Sequence, residues 1–316
     1  MATSSTIHIG IFAYPGAQNA AVYGLLDLFQ TAEKFSLEAG RANGYSPLKI
    51  EVLTELCAQN STHLSALILP PSLHGDILAK ANEHKADLER LYNGGVLMCS
   101  VCAGAFLLAE AGLLDGRIAT THWDLASQFE SSYPQVELNV ERMLVDDGDL
   151  ITAGGVMAWI DLGLKLVDRF LGPAIMLKTA KFLLVDPGER EQRFYSVFSP
   201  SLSHGDSAVL KVQQWLQAHF SEAVTVKAMA EISGFTGRTF IRRFQQATGF
   251  SPSEYLQHLR IGKARELMEL SNQSVDQIAW QVGYQDPGAF RRIFHKVMGL
   301  TPRDYRARFA VSHADR

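Results

Sequence analysis

Cysteine is scarce in this chain of 316 residues, which contains only three cysteines. That number is too small for the disulfide framework that holds many secreted proteins together. The sequence also lacks a run of about 18 apolar residues, the length that a membrane-spanning helix requires. Residues 1–5 have neither the basic nor the apolar region of a signal peptide. We therefore expect a cytoplasmic protein with no membrane partner.

The few charges that the chain has are unevenly distributed. Its net charge is −4, but residues 204–316 hold 15 Lys and Arg against 10 Asp and Glu, a net charge of +5. Residues 1–203 hold 14 against 23, a net charge of −9. A basic end attached to an acidic body fits a nucleic-acid-binding module joined to a domain with another task. A hydrophobic content of 47% is enough for two domains with separate cores.

A helical motif occurs twice between residues 225 and 308. Each copy has a glycine followed by an aromatic residue, then Phe-x-Arg-x-Phe, then Gly-x-Ser/Thr-Pro, and finally a tyrosine. The glycines are Gly234 and Gly283, and the tyrosines are Tyr255 and Tyr305. Two phenylalanines one turn apart predict a helix with a buried face, and the glycine predicts a tight turn before it. The sequence therefore predicts two helix-turn-helix units.

Residues 252–270 between the two copies have apolar residues at helical spacing and predict one long helix. A helix of this length measures about 28 Å, which is close to the spacing between successive major-groove faces of a DNA duplex. Basic residues recur on the predicted exposed faces of both copies, namely Arg238, Arg242, Arg243, Arg291, Arg292 and Lys296. Arginine binds guanine and phosphate bidentately, so we expect DNA binding here. The alternative is a solvated helix face without a partner.

The segment 207–309 resembles the AraC/XylS-type DNA-binding domain, which consists of two helix-turn-helix units joined by a linker helix. The resemblance implies double-stranded operator DNA and RNA polymerase as partners. It also implies two sets of base-facing residues, Arg238, Thr239, Ile241 and Arg242 in the first recognition helix and Gly288, Ala289, Arg291 and Arg292 in the second. Ile241 departs from the polar residue that is often found at its position. Gly288 and Ala289 have short side chains, so the second helix is expected to read bases weakly.

Residues 7–185 alternate between strand-like and helix-like segments. Strands are predicted at 7–13, 48–54, 66–69 and 96–101, and a small hairpin at 143–152. Helices are predicted at 22–35, 76–91, 103–113, 155–170 and 174–184. Such alternation predicts a doubly wound, mainly parallel α/β sheet with helices on both faces. Small-molecule sites in such folds lie beyond the carboxyl ends of the strands.

Cys102 follows the predicted strand 96–101 and precedes small residues and a helix. This order is typical of a nucleophile elbow, and the amino end of a helix favours a thiolate. His122 could orient or deprotonate the thiol. The alternatives are a buried Cys102 that acts as a small apolar residue, and a His122 that is simply packed and hydrogen-bonded. A redox or metal role for Cys99 and Cys102 is a less favoured alternative, because Cys99 lies in the strand itself and no second Cys/His pair is suitably spaced. We expect no metal and no cofactor.

The first half of the chain resembles the PfpI-type, glutamine-amidotransferase-like superfamily, which has a flavodoxin-like fold. The matching motifs begin at Cys102, Gly112, Thr120 and Thr152. The resemblance implies a small-molecule pocket formed by Gly16, Gln18, Ser72, Cys102, Ala103, His122 and Gly154. Two departures argue against catalysis: residues 15–19 lack the usual carboxylate, and Pro71 replaces a residue that would donate an N–H to an oxyanion. We therefore expect a protein that is not an enzyme and assign no catalytic residue, with Cys102 and His122 as vestigial candidates.

An AraC-type end on a PfpI-type domain resembles the GlxA/FtrA-type regulators. We expect an effector-sensing and dimerisation domain at 1–190, a linker at 191–206 and an all-α double helix-turn-helix domain at 207–316. The expected function is sequence-specific transcriptional regulation controlled by a small metabolite, carried out by a homodimer. One alternative is a cysteine-dependent amidohydrolase or hydratase with an appended DNA-binding domain. Another is an architectural DNA-binding protein whose first domain only dimerises.

Overall fold

The computed structural model describes residues 6–40, 47–57, 63–73, 81–187, 191–196, 198, 200, 202 and 204–311. The chain divides into two compact units, an N-terminal unit of Met1–Gln192 and a C-terminal unit of Arg193–Arg316. Among the described helices, none is both long and apolar enough to cross a membrane.

A six-stranded sheet forms the centre of the N-terminal unit, with the strand order β2-β1-β3-β4-β8-β7. Its strands are β1 Ile7–Phe12, β2 Leu48–Leu53, β3 Ala66–Leu69, β4 Leu97–Val101, β7 Leu144–Asp146 and β8 Leu150–Ala153. All neighbours pair in parallel except β7 and β8, which form the predicted hairpin. A second sheet pairs β5 Ile118–Ala119 with β6 Glu137–Leu138. The predicted doubly wound sheet is confirmed.

The central strands of this sheet are buried on both faces. Every residue of β3 and β4 is buried, and these two strands consist almost entirely of apolar residues. A parallel strand that is covered by helices on both sides has this composition, because it has no solvent-exposed face. Because β1, β3 and β4 pair in parallel, their carboxyl ends lie side by side at one edge of the sheet.

Six α-helices lie in the part of the N-terminal unit that the structure describes. They are α1 Asn19–Gly40, α2 Lys85–Asn93, α3 Ala105–Glu110, α4 Ala126–Ser132, α5 Trp159–Leu171 and α6 Pro173–Phe182. Five of them overlap a predicted helix with bounds that differ by one to several residues, and α4 was not predicted. Helix α3 begins at Ala105, after a 3-10 turn at Cys102–Gly104, and not at the predicted residue 103. Helix α5 begins at Trp159, after the turn that contains Gly155, and not at the predicted residue 155. Residues 76–80 of the predicted helix 76–91 lie outside the described residues.

Seven α-helices form the C-terminal unit over its described residues. They are α7 Ser207–His219, α8 Val226–Ser233, α9 Gly237–Thr248, α10 Pro252–Leu270, α11 Val275–Gln281, α12 Pro287–Met298 and α13 Pro302–Phe309. The two copies of the motif match closely, since α9 and α12 both have 12 residues. Gly234 and Gly283, which follow α8 and α11, both have a positive φ, 73° and 89°. Glycine adopts this conformation without steric cost, so both turns form where they were predicted.

The long helix α10 contributes to two separate cores. Its first half packs with α7, α8 and α9 around Phe240 and Phe244. Its second half packs with α11, α12 and α13 around Phe290 and Phe294. Each helix-turn-helix therefore has its own core, and one continuous helix of 19 residues connects them. The predicted all-α double helix-turn-helix unit is confirmed.

The segment that was predicted to be a linker, 191–206, is not a simple spacer. Its residue Gln192 is 1% exposed and lies inside the N-terminal unit. Phe198 packs on Phe250 and Tyr255 in the C-terminal unit. Asp206 caps α7 by accepting hydrogen bonds from the N–H groups of Ala208 and Val209. Both ends of the segment are thus anchored, which composition alone did not indicate.

Candidate functional site

Cys102 occupies a strained turn at the carboxyl end of β4. Its φ is 54°, a left-handed value that is uncommon for a residue with a side chain. Such strain is typical of functional turns and agrees with the predicted elbow. The turn also lies very close to β3, because a Cβ on Gly104 would come within 2.4 Å of the Leu69 carbonyl oxygen. A glycine at position 104 allows this close packing.

The thiol of Cys102 is buried and protonated at neutral pH. The residue is 3% exposed, and burial raises its pKa to about 11, although a hydrogen bond from the Ala103 N–H opposes this shift. No hydrogen bond joins Cys102 to His122 in the described part of the chain. The structure thus places both residues near the carboxyl ends of the strands without pairing them as nucleophile and base.

The ring nitrogen of His122 that could accept a proton is already engaged in a hydrogen bond. Burial lowers its pKa, so the imidazole is neutral at pH 7. Its Nδ1 accepts a hydrogen bond from the Asp124 N–H at 3.1 Å. A neutral imidazole whose Nδ1 is an acceptor carries its proton on Nε2. The second ring nitrogen of His122 is therefore a hydrogen-bond donor.

The remaining predicted pocket residues come from the loops after β1 and β3. The Ser72 hydroxyl donates to the Gly16 carbonyl at 3.0 Å. The Gln18 N–H donates to the Pro71 carbonyl at 2.7 Å. The Oε1 atom of Gln18 is inaccessible to solvent and has no hydrogen-bond partner among the described residues. Gly16, Gln18 and Ser72 are thus brought together, and Gln18 offers an unused acceptor.

Gly154, the last predicted pocket residue, is covered by Gln192. A Cβ on Gly154 would lie 1.8 Å from the Gln192 Nε2 atom. That amide donates to Thr120 Oγ1 at 3.0 Å and to the Thr121 carbonyl at 2.9 Å. Its Oε1 accepts from the backbone N–H groups of Trp123 and Gly155. Gln192 therefore fills the space that the sequence assigned to a ligand beside Gly154.

Two hydrogen bonds connect the elbow to Gln192. The Thr121 hydroxyl donates to the Cys102 carbonyl at 2.8 Å, and the Thr121 carbonyl accepts from Gln192. Thr121 and Gln192 are both buried, so their polar groups depend on these bonds. Sequence reasoning missed Gln192, because a single glutamine in a polar segment gives no signal of burial.

In the C-terminal unit, α9 exposes one face and buries the other. Phe240 and Phe244 are fully buried. Arg238 and Arg242 are exposed and form no ion pair with any described residue, and Ile241 is 41% exposed. Positions 238, 241 and 242 share one face of a helix by their spacing. Three of the four residues predicted to face bases are thus exposed on one side of α9, and the fourth, Thr239, is partly buried.

Arg243 does not belong to this exposed face. Its Nε donates to Asp206 Oδ2 at 2.8 Å, and its guanidinium carbon lies 4.4 Å from the centre of the Phe235 ring. Asp206 is the residue that caps α7. Arg243 therefore links α9 to the start of α7, and we omit it from the proposed DNA contacts.

The corresponding face of α12 is basic but partly neutralised. Arg291 pairs with Asp276, and Arg292 lies 3.8 Å from Asp286. Lys296 is exposed without an ion pair in the described chain. Gly288 and Ala289 are bound through their backbone N–H groups by Asp286, which caps the helix. Exposed ion pairs of this kind are weak, so DNA can displace the two carboxylates. Breaking these pairs costs some binding free energy, whereas Arg238 and Arg242 of α9 have no such pairs among the described residues to break.

Comparison with known proteins agrees with both units. A family model described as "DJ-1/PfpI family" matches residues 43–169, and one described as "Helix-turn-helix domain" matches residues 229–308. The first unit thus contains a segment similar to the DJ-1/PfpI family, and the second contains an AraC-type helix-turn-helix domain. We call them the DJ-1/PfpI unit and the AraC-type unit. The predicted family resemblance is thereby confirmed.

Several individual proteins are similar to parts of this chain. HTH-type transcriptional regulator CdhR of Pseudomonas aeruginosa is 33% identical over 71% of this chain and 64% of its own length. HTH-type transcriptional regulator GlxA of Rhizobium meliloti is 28% identical over 70% of this chain and 68% of its own. The match thus spans slightly less than two thirds of the first of these relatives. The crystal structure of Drosophila melanogaster DJ-1beta is 20% identical, covers 57% of this chain and 99% of its own, and has a TM-score of 0.46.

The burial of Cys102 in the DJ-1/PfpI unit predicts slow alkylation. With a pKa of about 11, only about one thiol in a thousand is ionised at pH 8. We expect iodoacetamide to modify the exposed Cys57 at pH 8 and to leave Cys102 unmodified, as measured by peptide mass spectrometry. The reactivity of Cys102 should rise about tenfold per pH unit as the pH approaches 11. A Cys102 that reacts at neutral pH as fast as Cys57 would contradict a protonated thiol.

Proposed function

We propose that this chain is a DNA-binding transcriptional regulator whose DJ-1/PfpI unit senses a small metabolite. One observation carries the proposal. The 12-residue helices α9 and α12 have basic exposed faces and are connected by the long helix α10. The names of CdhR and GlxA, both HTH-type transcriptional regulators, support it.

The AraC-type unit supplies the DNA contacts in this proposal. Helices α9 and α12 enter successive turns of the major groove, since α10 separates them by about one helical turn of DNA. Arg238 and Arg242 form the main contacts, with Thr239 and Ile241 beside them. Arg291, Arg292 and Lys296 bind mainly phosphate, because Gly288 and Ala289 reach no base edge. A homodimer would cover a longer repeated operator, where RNA polymerase is the partner.

The effector site in this proposal lies at the carboxyl ends of β1, β3 and β4. Gln18 Oε1 is a buried acceptor without a partner, and an effector that donates an N–H group would satisfy it. His122 offers a donor at Nε2, which suits a carboxylate or carbonyl oxygen. Together these groups favour a small nitrogenous metabolite that also carries an acceptor. Gly16, Ser72, Cys102 and Ala103 supply the walls.

Signalling then proceeds through Thr121 and Gln192. Thr121 connects the Cys102 carbonyl to the Gln192 amide, and Gln192 is the last residue of the DJ-1/PfpI unit. An effector that binds better to one position of the Gln192 amide shifts the chain toward that position. Arg193 follows directly, so the change reaches the first residue of the AraC-type unit.

The rival function is a cysteine-dependent amidohydrolase or hydratase. It requires an ionisable thiol and a base within reach. Cys102 is buried with a pKa of about 11, and His122 holds its proton on the nitrogen that remains available to a partner. These features favour a sensor over an enzyme.

Selection of DNA from a random duplex pool by the full chain tests the DNA-binding part of the proposal. We expect one recurrent motif whose binding weakens steeply as salt rises, because phosphate contacts release counterions. A pool that shows no enrichment over several rounds would contradict sequence-specific binding.

A thermal-melt screen of the full chain against amino acids, amines and small carboxylates tests the sensing part. A ligand that binds only the folded state stabilises that state by about 2.7 kcal/mol at a hundredfold excess over its Kd. The melting temperature therefore rises. We expect a hit that Cys102→Ala or Gln18→Ala weakens. A panel without hits would favour the architectural function, and turnover of a hit would favour the enzyme.

A further inference from the structure

Two histidines and a glutamate converge at a second place in the DJ-1/PfpI unit. His8 lies on β1, Glu51 lies on β2, and His63 precedes β3. One possible ligand atom from each of these residues lies within 4.8 Å of the others. His8 is near the amino end of β1, whereas the elbow at Cys102 follows the carboxyl end of β4. The cluster is therefore distinct from the proposed effector site.

We propose that His8, Glu51 and His63 bind one divalent transition-metal ion of the zinc class. Two imidazoles and one carboxylate, with a fourth position left for water, form a common ligand set for Zn²⁺. Sequence reasoning missed this site, because His8 and His63 are 55 positions apart in the chain and no short spacing motif links the three residues.

The separation between His63 and Glu51 already suits a shared ion. His63 Nε2 lies 3.5 Å from Glu51 Oε2. Two ligand atoms that bind one tetrahedral Zn²⁺ at its usual bond lengths lie about 3.3 Å apart. A shift of a few tenths of an ångström would bring these two atoms to a suitable separation for one ion. His63 and Glu51 have side chains that are 39% and 26% exposed, so an ion can reach them from solvent.

Lys49 holds the other carboxylate oxygen of Glu51. Its Nζ lies 2.5 Å from Glu51 Oε1, which leaves Oε2 directed toward His63. A partner on the non-ligating oxygen orients a carboxylate in many metal sites. The strand register supports this arrangement, because His8 pairs with Lys49 and Gly10 pairs with Glu51 in the parallel β1–β2 ladder.

His8 has a ring nitrogen that no protein group uses. Its Nδ1 is inaccessible to solvent and lacks a hydrogen-bond partner in the described chain. The rings of His8 and His63 lie edge to face, with their centres 4.6 Å apart.

Zinc binding to the EDTA-treated full chain tests this site, by competition with a chromogenic chelator and by thermal melting. We expect one ion per chain and a higher melting temperature with ZnCl2. Each of His63→Gln, Glu51→Gln and His8→Gln should weaken binding by at least about tenfold. The matched control is His295→Gln, which removes an exposed histidine of α12 and should leave binding unchanged.

The surface variants His63→Gln and Glu51→Gln keep the test valid if His8→Gln fails to fold. Cobalt adds a spectroscopic readout, since Co²⁺ at this site should show visible absorption without a thiolate charge-transfer band. Zinc that binds His63→Gln as tightly as wild type would overturn the proposal. A thiolate band, which would place the ion at a cysteine, would also overturn it, as would a stoichiometry well below one.

Discussion

Replacing Arg238 and Arg242 together by alanine should reduce affinity for a selected operator by about a hundredfold or more. Both side chains are exposed on α9 and form no ion pair with any described residue, so their full charge is available to DNA. A bidentate arginine contact to a base contributes about 1–3 kcal/mol, and a phosphate contact contributes to the salt dependence. Fluorescence anisotropy at several salt concentrations measures both effects.

Arg243→Ala is the matched control for this experiment, because it removes the same charge from the same helix. Arg243 is held by Asp206 and the Phe235 ring, so its loss should lower the melting temperature and change affinity little. The single variants Arg238→Ala and Arg242→Ala should have the opposite pattern. Equal losses for all three arginines would show that only net charge matters, and would contradict a specific α9 face.

The second recognition helix should contribute less than the first. Arg291 and Arg292 already lie beside Asp276 and Asp286, and DNA must compete with these carboxylates. The residues ahead of them, Gly288 and Ala289, serve the helix cap through their backbone N–H groups. The two copies of the motif therefore share a fold but differ in the charge that they offer to DNA.

The architecture could be predicted from the sequence because its signals are local. The helix α10 has the predicted bounds, and Ser251 and Ser274 both form capping boxes with the residue three positions later. The glycine turns and the phenylalanine pairs also depend on neighbouring residues only. Periodicity and capping act within one or two helical turns, and they are visible in the sequence for that reason.

The details of the candidate sites could not be predicted in the same way. Arg243 and Asp206 are 37 residues apart, and Gln192 and Thr120 are 72 residues apart. Folding brings these groups together, and no pattern in the sequence marks them as partners. The same is true of His8, Glu51 and His63. Residue type and spacing were enough to predict the elbow at Cys102. The protonation of its thiol depends on burial, which only the folded structure shows.

Gln192 has the contacts expected of a coupling residue. Its side chain is buried and bonded to four different backbone or hydroxyl groups of the loops that contain His122 and Gly155. It is also one bond away from the AraC-type unit in the chain. A change that displaces this amide without altering the chemistry of the elbow therefore tests the signalling path directly.

Gly154→Ala is that change. The added Cβ would lie 1.8 Å from Gln192 Nε2 and 2.1 Å from its Cδ, so the amide must leave its position. Overpacking costs about 1–3 kcal/mol, and the groups that Gln192 satisfied lose their partner. We expect lower stability of the DJ-1/PfpI unit in urea unfolding. We also expect a change of about fivefold or more in operator affinity, although position 154 lies outside the AraC-type unit.

The double variant Gly154→Ala with Gln192→Ala separates coupling from general damage. Once the amide is absent, the new methyl group has nothing to displace, so the double variant should resemble Gln192→Ala alone in both stability and affinity. Such non-additivity is the signature of two residues in contact. Gly163→Ala serves as the control, because the atoms nearest to its Cβ would belong to Leu25 and Leu28. It should destabilise the same unit and leave operator affinity unchanged. If Gly163→Ala shifts affinity as much as Gly154→Ala, loss of stability explains the effect and Gln192 transmits no signal.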